Sequence, residues 1–265
     1  MKVGISTASL FGRYYTEDAL EKLNELGVDV AEVFLESYSE YTKKFGKILK
    51  KKKGNVDIHS IHTLTTQFEP QLYSLNDRAR EESFKLLDGT LQAGQTIGAK
   101  YYTFHGVARI KRVPIHINFE RVGELTNKII DACKKHDMLL SYENVHWAYY
   151  NYIGFFSTLK KYCPDLKGTF DVKQARQSGV DYREFINEMG SDIVTAHLSD
   201  INSDGKMCLP GRGETDFDEM FSRLRDVHFD GSLILEVYKT DFESIDELLD
   251  SYEFVKDKAK RIFAY

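Results

Sequence analysis

Short runs of β-branched and aromatic residues alternate with amphipathic segments along the whole chain. The first run covers residues 2–7, and helical periodicity follows over 16–26, closed by Gly27. The same alternation then repeats. Strand-like runs occupy 30–36, 56–63, 101–106, 138–143, 168–172, 193–198 and 232–238. Between and after them stand a lysine-rich segment reaching Gly54 and helical patterns over 77–97, 118–136, 155–162, 182–189, 217–227 and 244–262. Strands alternating with helices imply a parallel sheet covered by helices. Eight such units in about 250 residues match a closed (β/α)₈ barrel. An open doubly wound sheet that binds a dinucleotide carries a glycine-rich turn after its first strand. Here the first strand runs into Thr7-Ala8-Ser9-Leu10. No Pro-, Gly- or Ser-rich linker divides the chain, so one barrel domain is expected over residues 1–265.

The apolar runs carry polar residues near their ends, and the last, Ser232-Leu233-Ile234-Leu235-Glu236-Val237-Tyr238, shows the problem most sharply. A carboxylate in an apolar run is costly unless something pairs with it. The oddity recurs: His62, His105, Glu143, Asp171, His197 (with Asp200 shortly after) and Glu236 stand at the ends of six successive strands. In a parallel barrel these ends share one rim, where barrel enzymes place their chemistry. Carboxylates with an imidazole suit a divalent Mn, Mg, Co or Zn ion, and two carboxylates on either side of a substrate can remove and return a proton. Duller readings stand beside this one. Glu236 alone could form a structural ion pair, and His62 and His105 could be satisfied by neighbouring backbone. Glu32 and Glu36 fall on one face of the second strand, with only Glu36 near the rim. Strand alternation sends His59 to the face opposite Ser60 and His62. Trp147 could stack on a sugar ring or anchor its loop. The aromatic run 147–152 fits packing or a subunit contact, so a homo-oligomer is compatible with the sequence.

Composition narrows the partners. The formal net charge of −5 argues against broad affinity for nucleic acid. Cys133, Cys163 and Cys208 lie far apart, an odd set without framework spacing, which fits a reducing cytoplasm. The start of the chain is too short in apolar length for a signal peptide, and no apolar run is long enough to span a membrane.

The pieces Ile61-His62, Phe104-His105-Gly106, Tyr142-Glu143-Asn144, Phe170-Asp171, Ala196-His197-Leu198-Ser199-Asp200, the stretch 209–217 and Leu235-Glu236 come one per strand and cover nearly the whole chain. In that order they resemble the sugar isomerase/epimerase superfamily with a xylose isomerase-like barrel, which also contains endonuclease IV. The resemblance implies one divalent metal ion on Glu143, Asp171, His197 and Glu236. The two glutamates would double as the acid/base pair that moves a proton through a metal-bound enediolate, and His62 and His105 would lie near the substrate. It therefore implies a sugar or sugar phosphate isomerase or epimerase. A metal-dependent dehydratase or lyase on a cyclitol, an endonuclease IV-like zinc phosphodiesterase and a non-catalytic sugar-binding barrel are the alternatives. One departure weighs against the nuclease: Gln174 stands where the family often has a histidine, and the strand-seven loop lacks the further histidine that three zinc sites require. By position and charge, Lys173, Gln174 and Arg212 would bind a phosphate or carboxylate of the substrate.

Overall fold

The computed structural model describes residues 1–64, 67–109 and 116–263. Eight strands, β1 (Lys2–Ser6), β2 (Val30–Leu35), β3 (Asp57–Thr63), β4 (Tyr101–Phe104), β5 (Leu139–Glu143), β6 (Lys167–Asp171), β7 (Ile193–Leu198) and β8 (Ser232–Leu235), close into a barrel. Each pairs in parallel with its sequence neighbours, and β8 pairs with β1. The helices are α1 (Thr16–Glu25), α2 (Lys43–Lys52), α3 (Asp77–Ile97), α4 (Phe119–Lys135), α5 (Phe155–Tyr162), α6 (Val172–Gln177), α7 (Tyr182–Met189), α8 (Phe217–Asp226) and α9 (Ile245–Ile262).

The helix starts are set by side chains that satisfy the otherwise unpaired N–H groups of the first turn. Thr42, Asn76, Asn118, Asp181, Asp216 and Ser244 all accept such bonds. The apolar stripes of the helices, among them Leu20 and Leu23, Leu87 and Leu91, Ile129 and Ile130, Phe185 and Ile186, and Phe221 and Leu224, are buried against the outer face of the barrel. The last strand stops one residue short of Glu236, whose backbone N–H still donates to the Leu198 carbonyl at 3.0 Å. Glu236 is thus held in line with the sheet while its side chain reaches the rim.

The barrel interior is unusually polar. Ser141 and Thr169 hydroxyls meet at 2.6 Å, and Glu32 sits fully buried at mid-height. A register shift between β2 and β3 pairs Ala31 with Ile58 but Glu32 with Ser60, so His59 is an extra residue on β3. This overturns the alternation expected for His59. Its ring reaches Thr195 Oγ1 at 2.8 Å and Ser232 Oγ at 3.0 Å, on β7 and β8 across the barrel, while Ser60 also faces inward onto Glu32. The bulge lets two consecutive residues point into the barrel, with His59 at its floor.

The long loops divide in character. The segment 67–76 contains a 3₁₀ turn, Glu69–Tyr73. The loop after β7 carries a short ribbon, Asp200–Ile201 against Met207–Cys208. Between β4 and α4, residues 110–115 lie outside the described residues.

Candidate active site

Glu143, Asp171, His197 and Glu236 converge at the C-terminal rim, each offering an atom within 4.8 Å of the others. Local structure aims each one. Asn144 donates to the Asp171 carbonyl at 2.9 Å and accepts the Asp171 N–H at 2.8 Å, fastening the ends of β5 and β6 together. Asp171 also starts α6: its Oδ1 accepts the Gln174 N–H at 2.8 Å, leaving Oδ2 for the site. His197 Nδ1 faces Glu236 Oε2 at 3.0 Å, Glu143 Oε1 at 3.1 Å and Asp171 Oδ2 at 3.8 Å.

One ring nitrogen can donate only one proton, so three carboxylates around it are under-compensated. Their protonation reflects this. Burial pushes the Asp171 carboxyl up; Lys173 opposes, Glu143 and Glu236 add to the rise, and it reaches about 7. Burial disfavours the His197 imidazolium, but Glu236 and Glu32 outweigh it and raise His197 well above the ordinary histidine range. Burial likewise opposes ionisation of Glu143 and Glu236, yet the neighbouring histidines hold both well below the usual carboxylate range. The cluster thus demands positive charge. Tetrahedral ligands on bonds of about 2.0–2.2 Å stand about 3.4 Å apart, and the separations from His197 Nδ1 bracket that spacing. The donor set fits a divalent cation.

Around the cluster opens a cavity of about 240 Å³. Its polar side is formed by His62, His105, Glu143, Lys173, Gln174 and Glu236, and its apolar side by Phe11, Phe34, Leu64, Trp147 and Tyr238. His62 is buried against the Phe34 ring, and neither of its ring nitrogens has a hydrogen-bond partner among the described residues. Its Nε2 stands 3.8 Å from Glu236 Oε1 and 3.9 Å from Glu32 Oε1. A buried polar ring left open at a cavity wall is suited to a ligand. His105 bridges two carboxylates, with Nδ1 3.2 Å from Glu69 Oε2 and Nε2 3.1 Å from Glu143 Oε2. Burial works against its charge, but Glu69 and then Glu143 prevail and raise it to about 10. The nearly buried Lys173 ammonium lies 4.3 Å from the centre of the Tyr238 ring. Gln174 spends its amide oxygen on the His146 N–H at 3.2 Å and on His146 Nδ1 at 2.6 Å, which leaves its NH₂ as the free end.

Three residues expected near the substrate or rim stand apart. Arg212 is exposed and pairs with Glu247 at 2.8 Å, away from the cavity. Asp200 is consumed by its own loop, accepting the N–H groups of Gly211, Gly213 and Thr215 at 2.9–3.1 Å. Glu36, half-buried, lines a separate hollow with Tyr14, Tyr15 and Asp18. In the aromatic run, Ala148 and Tyr150 pack inward, Trp147 lines the cavity and Tyr152 is exposed.

Two carboxylates were not read as site residues. Glu32 carries the same signal as Glu236, a glutamate inside an apolar run, but its place below the rim discounted it. Glu69 lies in a loop and gives no periodic signal. The fold buries it completely, accepting from the Tyr102 hydroxyl at 2.6 Å and the His105 N–H at 3.1 Å.

The chain belongs to the xylose isomerase-like TIM barrel family, whose model matches residues 20–258. Solved structures share the fold at low identity. A D-tagatose 3-epimerase-like protein is 18% identical with a TM-score of 0.81, covering 99% of this chain and 98% of its own. The IOLI protein with a bound zinc atom is 14% identical, TM-score 0.81, with full coverage of both chains. D-Psicose 3-epimerase with D-tagatose from Clostridium cellulolyticum H10 is 16% identical, TM-score 0.77, covering 99% of each. No curated protein sequence matches the chain. Among the described residues no helix is long and apolar enough to cross a membrane.

Proposed function

We propose that this protein is a divalent-metal-dependent isomerase or epimerase acting on a sugar or sugar derivative. The observation that carries the reading is the convergence of Glu143, Asp171, His197 and Glu236 on one point at the wall of a cavity sized for a small molecule. That two similar structures are sugar epimerases or epimerase-like, and a third holds zinc, supports it.

A divalent cation held by these four side chains supplies the charge that compensates the carboxylates and makes a C–H beside a carbonyl more acidic. The chain's own residues do the rest. Glu143 and Glu236 come from strands that are not neighbours in the barrel and both line the cavity, so one takes the proton from the substrate carbon and the other returns it. His105 holds Glu143 Oε2, and His62 stands by Glu236 Oε1 with its nitrogens open to a substrate oxygen. The Gln174 amide and the Lys173 ammonium bind substrate oxygens, and Trp147 covers a ring face. The cytoplasm is the compartment that the sparse thiols suit.

The test has two stages. Protein purified without chelator is assayed for metal, with Asp171→Ala as the control. Aldoses and ketoses are then incubated in D₂O with wild type, Glu143→Gln and Glu236→Gln. One equivalent of metal per chain, lost in Asp171→Ala, with deuterium incorporated next to a carbonyl only by wild type, is the expected result. Failure to bind Mn, Co, Mg or Zn would refute the proposal, and loss of water from a cyclitol would reassign the reaction to a dehydratase.

A further inference from the structure

We infer that Glu32 is a positioning residue that fixes which nitrogen of His197 faces the three carboxylates at the rim. The inference rests on the metal-site reading above and concerns a residue outside the four ligands. Glu32 is fully buried and does not line the cavity. Its Oε2 accepts the Ser60 hydroxyl at 2.7 Å and the Thr103 hydroxyl at 2.8 Å. Its Oε1 lies 2.9 Å from His197 Nε2, and apart from each other these two atoms have no hydrogen-bond partner among the described residues.

Two hydroxyls already donate to Oε2, so Glu32 is built as an acceptor, and its Oε1 is the acceptor left for the ring. The nitrogen beside it must therefore carry a proton, since a lone pair on Nε2 would face the charge of Glu32 in a water-free interior. With the proton on Nε2, a neutral His197 presents its Nδ1 lone pair toward Glu143, Asp171 and Glu236. That orientation suits a cation and nothing else the site contains. The other tautomer would turn an N–H toward the point where the carboxylates converge and block a ligand there. A metal-binding histidine commonly donates its second ring N–H to a carboxylate in this way, and losing that partner typically weakens metal affinity about 10–100-fold. The β-bulge that brings Ser60 inward beside His59 supplies one of the two hydroxyls holding Glu32, so an irregularity of the sheet serves the rim.

Glu32, His62 and Glu236 also lie close enough to share an ion. However, Glu32 Oε1 is nearer His197 Nε2, at 2.9 Å, than His62 Nε2, at 3.9 Å. The structure therefore favours positioning over ligation.

Metal-free wild type, Glu32→Gln and Ser60→Ala are titrated with Zn²⁺ and with Co²⁺ by calorimetry. The Co²⁺ absorption spectrum and the ¹⁵N shifts of the His197 ring are recorded alongside. Wild type should bind one equivalent, with Nδ1 as ligand and Nε2 protonated. Glu32→Gln should keep one equivalent and a four-coordinate Co²⁺ spectrum, unfold near the wild-type midpoint without metal, and bind about 10–100-fold more weakly. Ser60→Ala should shift affinity in the same direction by less, and carries the test should Glu32→Gln fail to fold. Unchanged affinity in the folded variants would overturn the inference while leaving the metal site standing. Two equivalents in wild type falling to one in Glu32→Gln would overturn it by making Glu32 a ligand. No metal in wild type would remove the parent reading and this inference together.

Discussion

Replacing His59 should flatten the acid side of the protein's stability curve. The ring spans the barrel floor between Thr195 and Ser232, whose hydroxyls can each donate or accept. Hydrogen bonding therefore tolerates either protonation state, and desolvation decides. Burial lowers the His59 pKa from 6.5 to about 4, against the pull of Glu32 and of the Val194 backbone. The sign follows from the unfolded chain binding the proton first. Above pH 6.5 both states are neutral and nothing is lost. As pH falls through the interval between the two pKa values the unfolded state is favoured, and the loss is complete below the folded value. The full penalty is about 3 kcal/mol, and about 2 kcal/mol of it has accrued at pH 5. His105 and Asp171, both raised in the fold, act in the opposite sense, but they are present in wild type and variant alike and cancel in the difference. Urea unfolding of metal-free wild type and His59→Gln, each at pH 7 and pH 5, isolates the effect. The variant will be less stable than wild type at pH 7, having a poorer fit across the floor, yet should lose about 2 kcal/mol less on going to pH 5. Equal losses in both proteins would refute the desolvation argument.

Lys173→Met removes the cation that opposes the rise of Asp171. Asp171 should then stay protonated to higher pH, and metal titrations across pH should show the acid limit of binding move upward. Trp147→Ala opens the apolar wall of the cavity and should raise KM about tenfold while leaving kcat within a few-fold, as loss of uniform binding does. Arg212→Ala, in contrast, should leave KM unchanged, because the guanidinium is engaged by Glu247; a large rise in KM would bring this arginine back to the substrate.

The barrel was legible because its signals are local and repeated. The helix over 77–97 matches α3 (Asp77–Ile97) to the residue, as Asn76 and Gly98 punctuate both ends. The clustering of the four rim residues was legible for a geometric reason: parallel strands in a closed barrel deliver every C-terminal end to one place, so strand membership alone brings Glu143, Asp171, His197 and Glu236 together. Sequence failed where that geometry is interrupted or where a loop decides. The bulge at His59 breaks the two-residue alternation, and no local signal in Ile58-His59-Ser60 announces it. Arg212 sits in a loop folded by Asp200, whose carboxylate gathers four backbone N–H groups, and its guanidinium faces Glu247 instead of the cavity. Lys173, expected at the substrate by position, does line the cavity, but its place beside the acidic cluster, set by α6 beginning at Val172, had no signal in the sequence.

These failures share a cause with the opening puzzle of Glu236. A carboxylate in an apolar setting is tolerable only if the fold supplies positive charge or donors, and Glu32, Glu69, Glu143, Asp171 and Glu236 all stand in the barrel interior or at its rim. Strand position told which of them meet at the rim but not how each is compensated. Glu69 is met by His105 and the Tyr102 hydroxyl, and Glu32 by His197 and two hydroxyls. The remaining three surround a single histidine nitrogen, with Lys173 the nearby permanent cation. With Lys173 beside them and His105 shared between Glu143 and Glu69, the three carboxylates still lack full compensation if His197 is neutral, and a divalent ion would supply it. The buried carboxylates below the rim are then part of the same arrangement: by holding the two histidines from behind, Glu32 and Glu69 commit the nitrogens of His197 and His105 that face the rim carboxylates.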